Sequence, residues 1–249
     1  MKNLEKIIFE LDKHTKKFSP PLINTVIDEY GKQPFLILIA CLLSLRTKDV
    51  MTIHVVRDLF NRVAPRPDLK AGRANKSEKA TQGLPILVLP QDILQIKLSE
   101  LEKIIFRTGF YKNKAKVLRE VCNTLIEKFG GQVPSSYEEL ISINGVGPKT
   151  ANLVLGMAFD VPAICVDTHV HRISNRLGII KTKTAEQTLI ALEKVLPRNR
   201  WILWNKLLVI WGQNVCLPRA PKCAICAINK YCAKVGVKRF VAPGCSICY

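Results

Sequence analysis

The stretch LISINGVGPKTANLVLGMAF (140–159) decides the fold. Its helical patterning stops at Asn144. Gly145-Val146-Gly147 predicts a tight turn that brings backbone close to a ligand. Pro148 suits the first position of a new helix, because it has no N–H to leave unpaired. Backbone N–H groups at such a helix start bind phosphate well. A lone Gly-x-Gly says little. A G-x-G-P-K turn between two apolar helical segments, in a chain of net charge +18, predicts a nucleic-acid hairpin. Lys149 falls in the first turn of the second helix, where the dipole favours a free amine, the form a nucleophile needs. An ordinary surface lysine fits the same letters.

The charge supports a polyanionic partner. The 249 residues carry 38 Lys and Arg against 20 Asp and Glu. Such a field attracts nucleic acid and speeds encounter with it. A membrane surface usually needs a basic amphipathic helix or a polybasic run, and neither stands out. The start, MKNLEKIIFELDKHTKKF, puts charges among its apolar positions and does not read as a signal peptide. FLILIACLLSL (35–45) is too short to span a bilayer and predicts a buried helix ending at Arg46. The expected compartment is the cytoplasm, with the protein associated with the nucleoid. Nine cysteines in a reducing compartment point to metal or catalysis rather than disulfides.

Apolar residues recur at helical spacing along most of the chain. Leu4, Ile7, Ile8 and Leu11 form one stripe; Val117, Leu118, Val121, Leu125 and Ile126 form another. Gly109, Gly130, Gly131, Gly156 and Gly178 read as lying at or near helix ends. ILVLP (86–90) is the one strand-like stretch. The expected fold class is all-α. Segment 65–85 is polar, basic and poor in large apolar residues, and reads as a surface loop or insertion.

Cys216, Cys223, Cys226 and Cys232 are spaced C-x6-C-x2-C-x5-C. Four thiolates this close make a soft-metal site. Structural zinc usually takes two short pairs separated by a longer stretch. A single pair flanked by outer cysteines favours a [4Fe–4S] cluster, although spacing alone leaves zinc open. Arg219, Lys222 and Lys230 lie among the ligands, so a rigid cluster loop would present cations to phosphate. Cys41, Cys122 and Cys165 sit in apolar contexts and read as core. Cys245 and Cys248 read as a tail. His169 and His171 are two apart and would face different ways on a helix. Asp167 precedes a helical stretch that Gly178 can end, so capping is the simplest reading, with a carboxylate beside a developing cation as the functional one.

Together these residues resemble the endonuclease III branch of the helix–hairpin–helix–Gly/Pro–Asp DNA glycosylases. The resemblance rests on LLS-x-R-T-K-D (42–49), TGFYKNKA (108–115), INGVGPKTANLVL (143–155), VDTH (166–169) and the four-cysteine loop, and covers most of residues 20–234. It implies two helical lobes with DNA in the cleft between them. One is a six-helix lobe (27–161) carrying the hairpin and the insertion. The other is an iron–sulfur lobe (1–26 plus 162–234), followed by a tail (235–249). It implies a monomer, acting on double-stranded DNA with damaged bases or abasic sites, and a [4Fe–4S] cluster on Cys216, Cys223, Cys226 and Cys232.

The resemblance further implies Lys149 as nucleophile, Asp167 as its catalytic partner, and DNA contacts from Arg46, Phe110, Gly145, Val146, Gly147 and His169. The activity implied is bifunctional: removal of oxidised pyrimidines through a lysine Schiff base, then β-elimination. The alternatives are a monofunctional mismatch glycosylase of the same fold and a non-catalytic iron–sulfur DNA-binding protein. Three positions depart from the family pattern. Arg46 stands where Gln is common, Phe110 where an aliphatic wedge is expected, and Asn144 where Pro usually precedes the hairpin glycines.

Overall fold

The computed structural model describes residues 3–63 and 87–237. Every regular element among them is helical. The insertion at 65–85, Ile86, and the Cys245–Cys248 pair lie outside the described residues. Leu87, Val88 and Leu89 are not a strand; they lead into a helix that begins at Pro90. The apolar run there buries Val88 and Pro90, while Leu87 and Leu89 remain exposed. Among the described residues no helix is long and apolar enough to cross a membrane.

The chain forms two compact units. The larger continuous one holds Leu22–Val154; the other runs through Pro21 and resumes at Leu155. The sequence-based bounds were 27–161. The difference at the first bound follows from helix α2 (Leu22–Tyr30), whose Leu22, Ile23 and Val26 are buried and which packs on its successors α3 (Pro34–Ser44) and α4 (Asp49–Val63). The second bound falls inside α9 (Pro148–Phe159).

In the Leu22–Val154 unit, α3 is the centre. Phe35 through Leu43 are all buried, which explains why its sequence is apolar on every side. Its last four carbonyls lack helical partners, as at any helix end. Each finds one. Cys41 O accepts from Ser44 Oγ at 2.7 Å and Leu42 O from Leu45 N at 3.4 Å. Leu43 O accepts from Lys114 Nζ at 2.7 Å and Ser44 O from Thr47 N at 3.0 Å. Helix α3 packs on α2, α4 and the long α7 (Tyr111–Phe129), and α7 in turn carries α5 (Pro90–Gln95) and α6 (Leu98–Ile105). Helix α7 touches α3, α5 and α6 through the apolar stripe that contains Leu118, Val121 and Leu125.

The other unit is built on α12 (Trp201–Asn214), which packs against α1 (Leu4–Thr15) and α10 (Thr168–Leu177). The predicted α1 stripe of Leu4, Ile7, Ile8 and Leu11 is buried in one cluster with Trp204 and Trp211. Helix α11 (Ala185–Val195) packs on α10. Gly156, expected at or near a helix end, lies in the last turn of α9. A Cβ there would lie 3.2 Å from Ile202 Cγ1, so the glycine permits close packing rather than chain termination. Cys41, Cys122 and Cys165 are buried, as their contexts predict.

Candidate functional site

Four sets of residues carry chemistry, two in each unit. The first is the hairpin. Helix α8 (Tyr137–Ser142) is capped by Ser136, whose Oγ accepts from Glu139 N at 3.3 Å. Ile143 and Val146 are buried and anchor the turn, and Val146 N donates to Ile143 O at 3.0 Å. Gly145, Gly147, Pro148 and Lys149 are exposed. Gly145 has φ +90°, and a Cβ there would stand 2.5 Å from Val117 Cγ1. Only glycine meets both demands. Asn144, the departure from the family pattern, fits the turn: its Nδ2 donates to Glu120 Oε2 at 3.1 Å. Pro148 and Lys149 are the first two residues of α9. Gly145→Val is expected to distort this turn and weaken duplex DNA binding by about tenfold, since a few tenths of an ångström of backbone shift misplaces several N–H groups together. A binding isotherm checks this, and Gly145→Ala should show a milder loss.

The second set joins two turns of the same unit. Arg46 and Phe110 are exposed, and the Arg46 guanidinium carbon lies 5.3 Å from the centre of the Phe110 ring. This is cation–π range. Both residues adopt left-handed backbone, with φ 55° and 59°.

The third set is the start of α10. Asp167 is its N-cap, and the capping reading is correct: Oδ1 accepts from His169 N at 2.9 Å and Val170 N at 2.8 Å. Both bonds use one oxygen, so the cap leaves Oδ2 for other chemistry. His169 and His171 point to different neighbours. The His169 ring lies on the backbone of Gly212, where a Cβ would be 2.2 Å from Nδ1. His171 Nδ1 meets Thr188 Oγ1 at 2.6 Å.

The fourth set is the cysteine loop. Cys216, Cys223, Cys226 and Cys232 line one cavity, together with Trp211 and Ile173. Among the described residues no three His, Cys, Asp or Glu groups are arranged to hold a single metal ion. The Cys223, Cys226 and Cys232 thiols are pushed up in pKa, chiefly by burial, so thiolates here need a positive partner. Trp211 Nε1–H is buried and makes no hydrogen bond of normal geometry, although it lies close enough to Cys226 to favour the thiolate. A buried donor left this way marks a place where an acceptor belongs.

Two arginines missed in the sequence tie the third set to the fourth. Arg176 is buried on α10. Its Nη1 donates to Cys216 Sγ at 3.3 Å and Leu217 O at 2.7 Å, and its Nη2 to Pro218 O at 2.7 Å. Arg172 Nη2 donates to Cys216 O at 2.8 Å and Gly212 O at 3.2 Å. The loop therefore holds the helix that Asp167 caps. The only sequence signal was a pair of arginines four apart on a helix, one of them on its apolar face.

Helical hairpin, cap and cysteine loop together define a DNA-repair protein of the helix–hairpin–helix class, and comparison with known proteins agrees. Residues 39–198 match the HhH-GPD superfamily of base excision DNA repair proteins. Endonuclease III of Thermotoga maritima is 39% identical over 199 residues, covering 80% of this chain and 82% of the relative. Endonuclease III of Bacillus subtilis is 34% identical over 243 residues, covering 96% of each chain. A trapped endonuclease III–DNA covalent intermediate, solved as an estranged-adenine complex, superposes with a TM-score of 0.69 at 30% identity. That match covers 92% of this chain and 95% of the solved one. The chain belongs to the endonuclease III family within the HhH-GPD superfamily.

Proposed function

We propose that Lys149 and Asp167 carry out, in this chain, bifunctional DNA glycosylase and abasic-site lyase chemistry on oxidised pyrimidines in duplex DNA. The observation that carries this reading is the hairpin: an exposed lysine in the first turn of α9, directly after a turn that only glycine can make.

The hairpin and the helix start grip the DNA backbone through N–H groups and the positive end of α9. The damaged nucleotide is turned out of the duplex, since its sugar is inaccessible within the stack. Arg46 and Phe110 fill the space it leaves; planar and apolar side chains suit such gaps. Lys149 Nζ attacks the sugar C1′. The bond to the base breaks, and the base leaves with its electron pair and takes up a proton. The sugar ring opens to give a protonated imine between Lys149 and C1′. Loss of a C2′ proton then expels the 3′ phosphate and nicks the strand, and water releases the lysine. The Asp167 carboxylate stabilises the developing sugar cation and serves the proton transfers. A lysine suits this work because an amine both displaces the base and forms the imine that makes the C2′ proton acidic.

The cysteine loop fits a [4Fe–4S] cluster held by Cys216, Cys223, Cys226 and Cys232. Four thiols around one cavity, a buried indole N–H beside Cys226 and an arginine on Cys216 Sγ support thiolate ligation, and the single C-x2-C pair with its outer cysteines favours the cluster over a zinc ion. The cluster supplies rigidity: it fixes the loop that Arg172 and Arg176 bind, and so the start of α10. Metal analysis of anaerobically purified protein is expected to give iron and acid-labile sulfide in equal amounts, near four of each per chain. Cys226→Ser should lose that iron and melt at lower temperature. One zinc per chain with no iron contradicts the assignment.

The function is tested on duplex DNA with a single oxidised pyrimidine. Base release together with a nicked strand is the expected result. Base release without a nick indicates a monofunctional glycosylase, and binding with neither product indicates a non-catalytic DNA-binding protein.

A further inference from the structure

Lys114 is one of few charged residues buried in the structure, at 8% exposure. It lies in the first turns of α7, where the helix dipole opposes a positive charge. Burial works against the charge too and holds its pKa down at about 8. A position needed only to fill space would take Met or Leu. The ammonium is kept there by its bonds: Nζ donates to Leu43 O at 2.7 Å and to Thr47 Oγ1 at 3.0 Å. Thr47 Oγ1 also accepts from Gly109 N at 3.0 Å. One lysine and one hydroxyl therefore staple the 43–47 turn to the 108–110 turn. The two turns are already in contact, since a Cβ on Gly109 would lie 3.1 Å from Arg46 O.

The exposed tips of these two turns are Arg46 and Phe110, stacked on each other. Both hold left-handed backbone that a non-glycine residue adopts only when its surroundings impose it. The staple holds residues next to both tips: Thr47 follows Arg46, and Gly109 precedes Phe110.

We propose that Lys114 is a positioning residue for the duplex reaction: through Leu43 and Thr47 it fixes Arg46 and Phe110 as a single preformed plug for the gap left by the extracted nucleotide. The inference rests on the proposed glycosylase–lyase function. Without the staple the two tips move separately, and the plug must be ordered at each encounter. Arg46 is donor-only, so a preformed plug also presents fixed N–H groups to the base opposite the gap.

The test uses abasic DNA in two forms, one duplex and one single-stranded, with cleavage measured under single-turnover conditions. A single strand has no stack to plug. Lys114→Met keeps the apolar stem and removes both bonds. Thr47→Val breaks the shared hydroxyl while leaving Lys114 in place, and Thr47→Ser restores it. For Lys114→Met and Thr47→Val, the ratio of duplex to single-strand rate is expected to fall about tenfold or more, the scale of a misplacement near 1 Å. Thr47→Ser should recover the wild-type ratio. Where Lys114→Met does not fold, the Thr47 pair decides. An unchanged ratio, or equal losses on both substrates, overturns the positioning role. Absence of cleavage by the wild type on both substrates overturns the glycosylase–lyase reading itself, and is recognised by the wild type alone.

Discussion

Lys149→Ala is expected to bind abasic duplex DNA about as tightly as the wild type and to lose strand cleavage by on the order of 10³-fold or more, the scale of removing a covalent nucleophile. The side chain is exposed and stands in the first turn of α9. Alanine is the best helix former, so the fold should be unaffected, with stability within about 0.5 kcal/mol of the wild type. The turn proposed to grip the backbone phosphates is made by Gly145, Val146 and Gly147, and these are untouched. Binding and cleavage should therefore separate cleanly. Single-turnover cleavage and an equilibrium binding assay on the same duplex check both halves. Loss of binding in step with cleavage would show that Lys149 serves affinity rather than chemistry.

Asp167→Asn should show a different split. Asparagine caps a helix about as well as aspartate, and the cap uses a single oxygen for both His169 N and Val170 N. The amide oxygen can keep both bonds, so α10 should remain in place. What is lost is the negative charge and the proton acceptor. Turnover is expected to fall by roughly 10² to 10³-fold, the scale of removing one electrostatic or acid–base group. Melting temperature should scarcely move. Asp167→Ala should lose the same activity and also about 1 kcal/mol of stability, because it removes the cap. Comparing the two melting curves separates the carboxylate's structural work from its chemical work. Full activity in Asp167→Asn would reduce this residue to a cap.

The residues differ in how plainly their sequence announces them. The helices were legible because their cause is local: a stripe such as Leu4, Ile7, Ile8 and Leu11 recurs with the helical period and is buried in the structure. The hairpin and the cysteine loop were legible because turn chemistry and ligand spacing need particular letters at fixed distances. Asp167 read correctly as a cap for the same reason. Lys114 was not legible. In YKNKAK it is one lysine among several, and its meaning comes from Leu43, 71 residues away. Arg176 is similar, since its carbonyl partner Leu217 lies 41 residues on. The packing role of Gly156 was not legible either, because a glycine near a helix end and one that admits a neighbouring side chain look the same until Ile202 is in place. Close-range physics appears in the sequence, whereas long-range partners appear only when the chain is folded.

The measurement that tests the central claim most directly is the identity of the residue that bonds to DNA. Wild-type protein is mixed with duplex DNA carrying one abasic site, and borohydride reduces the imine to a stable amine. The covalent product is digested and the modified peptide located by mass spectrometry. The account predicts a single adduct, on Lys149. Lys114 is the instructive rival, since burial lowers its pKa to about 8, but its Nζ is buried and bonded within the fold. An adduct on Lys114 or on the N-terminal amine, or no adduct with DNA still tightly bound, would contradict the account.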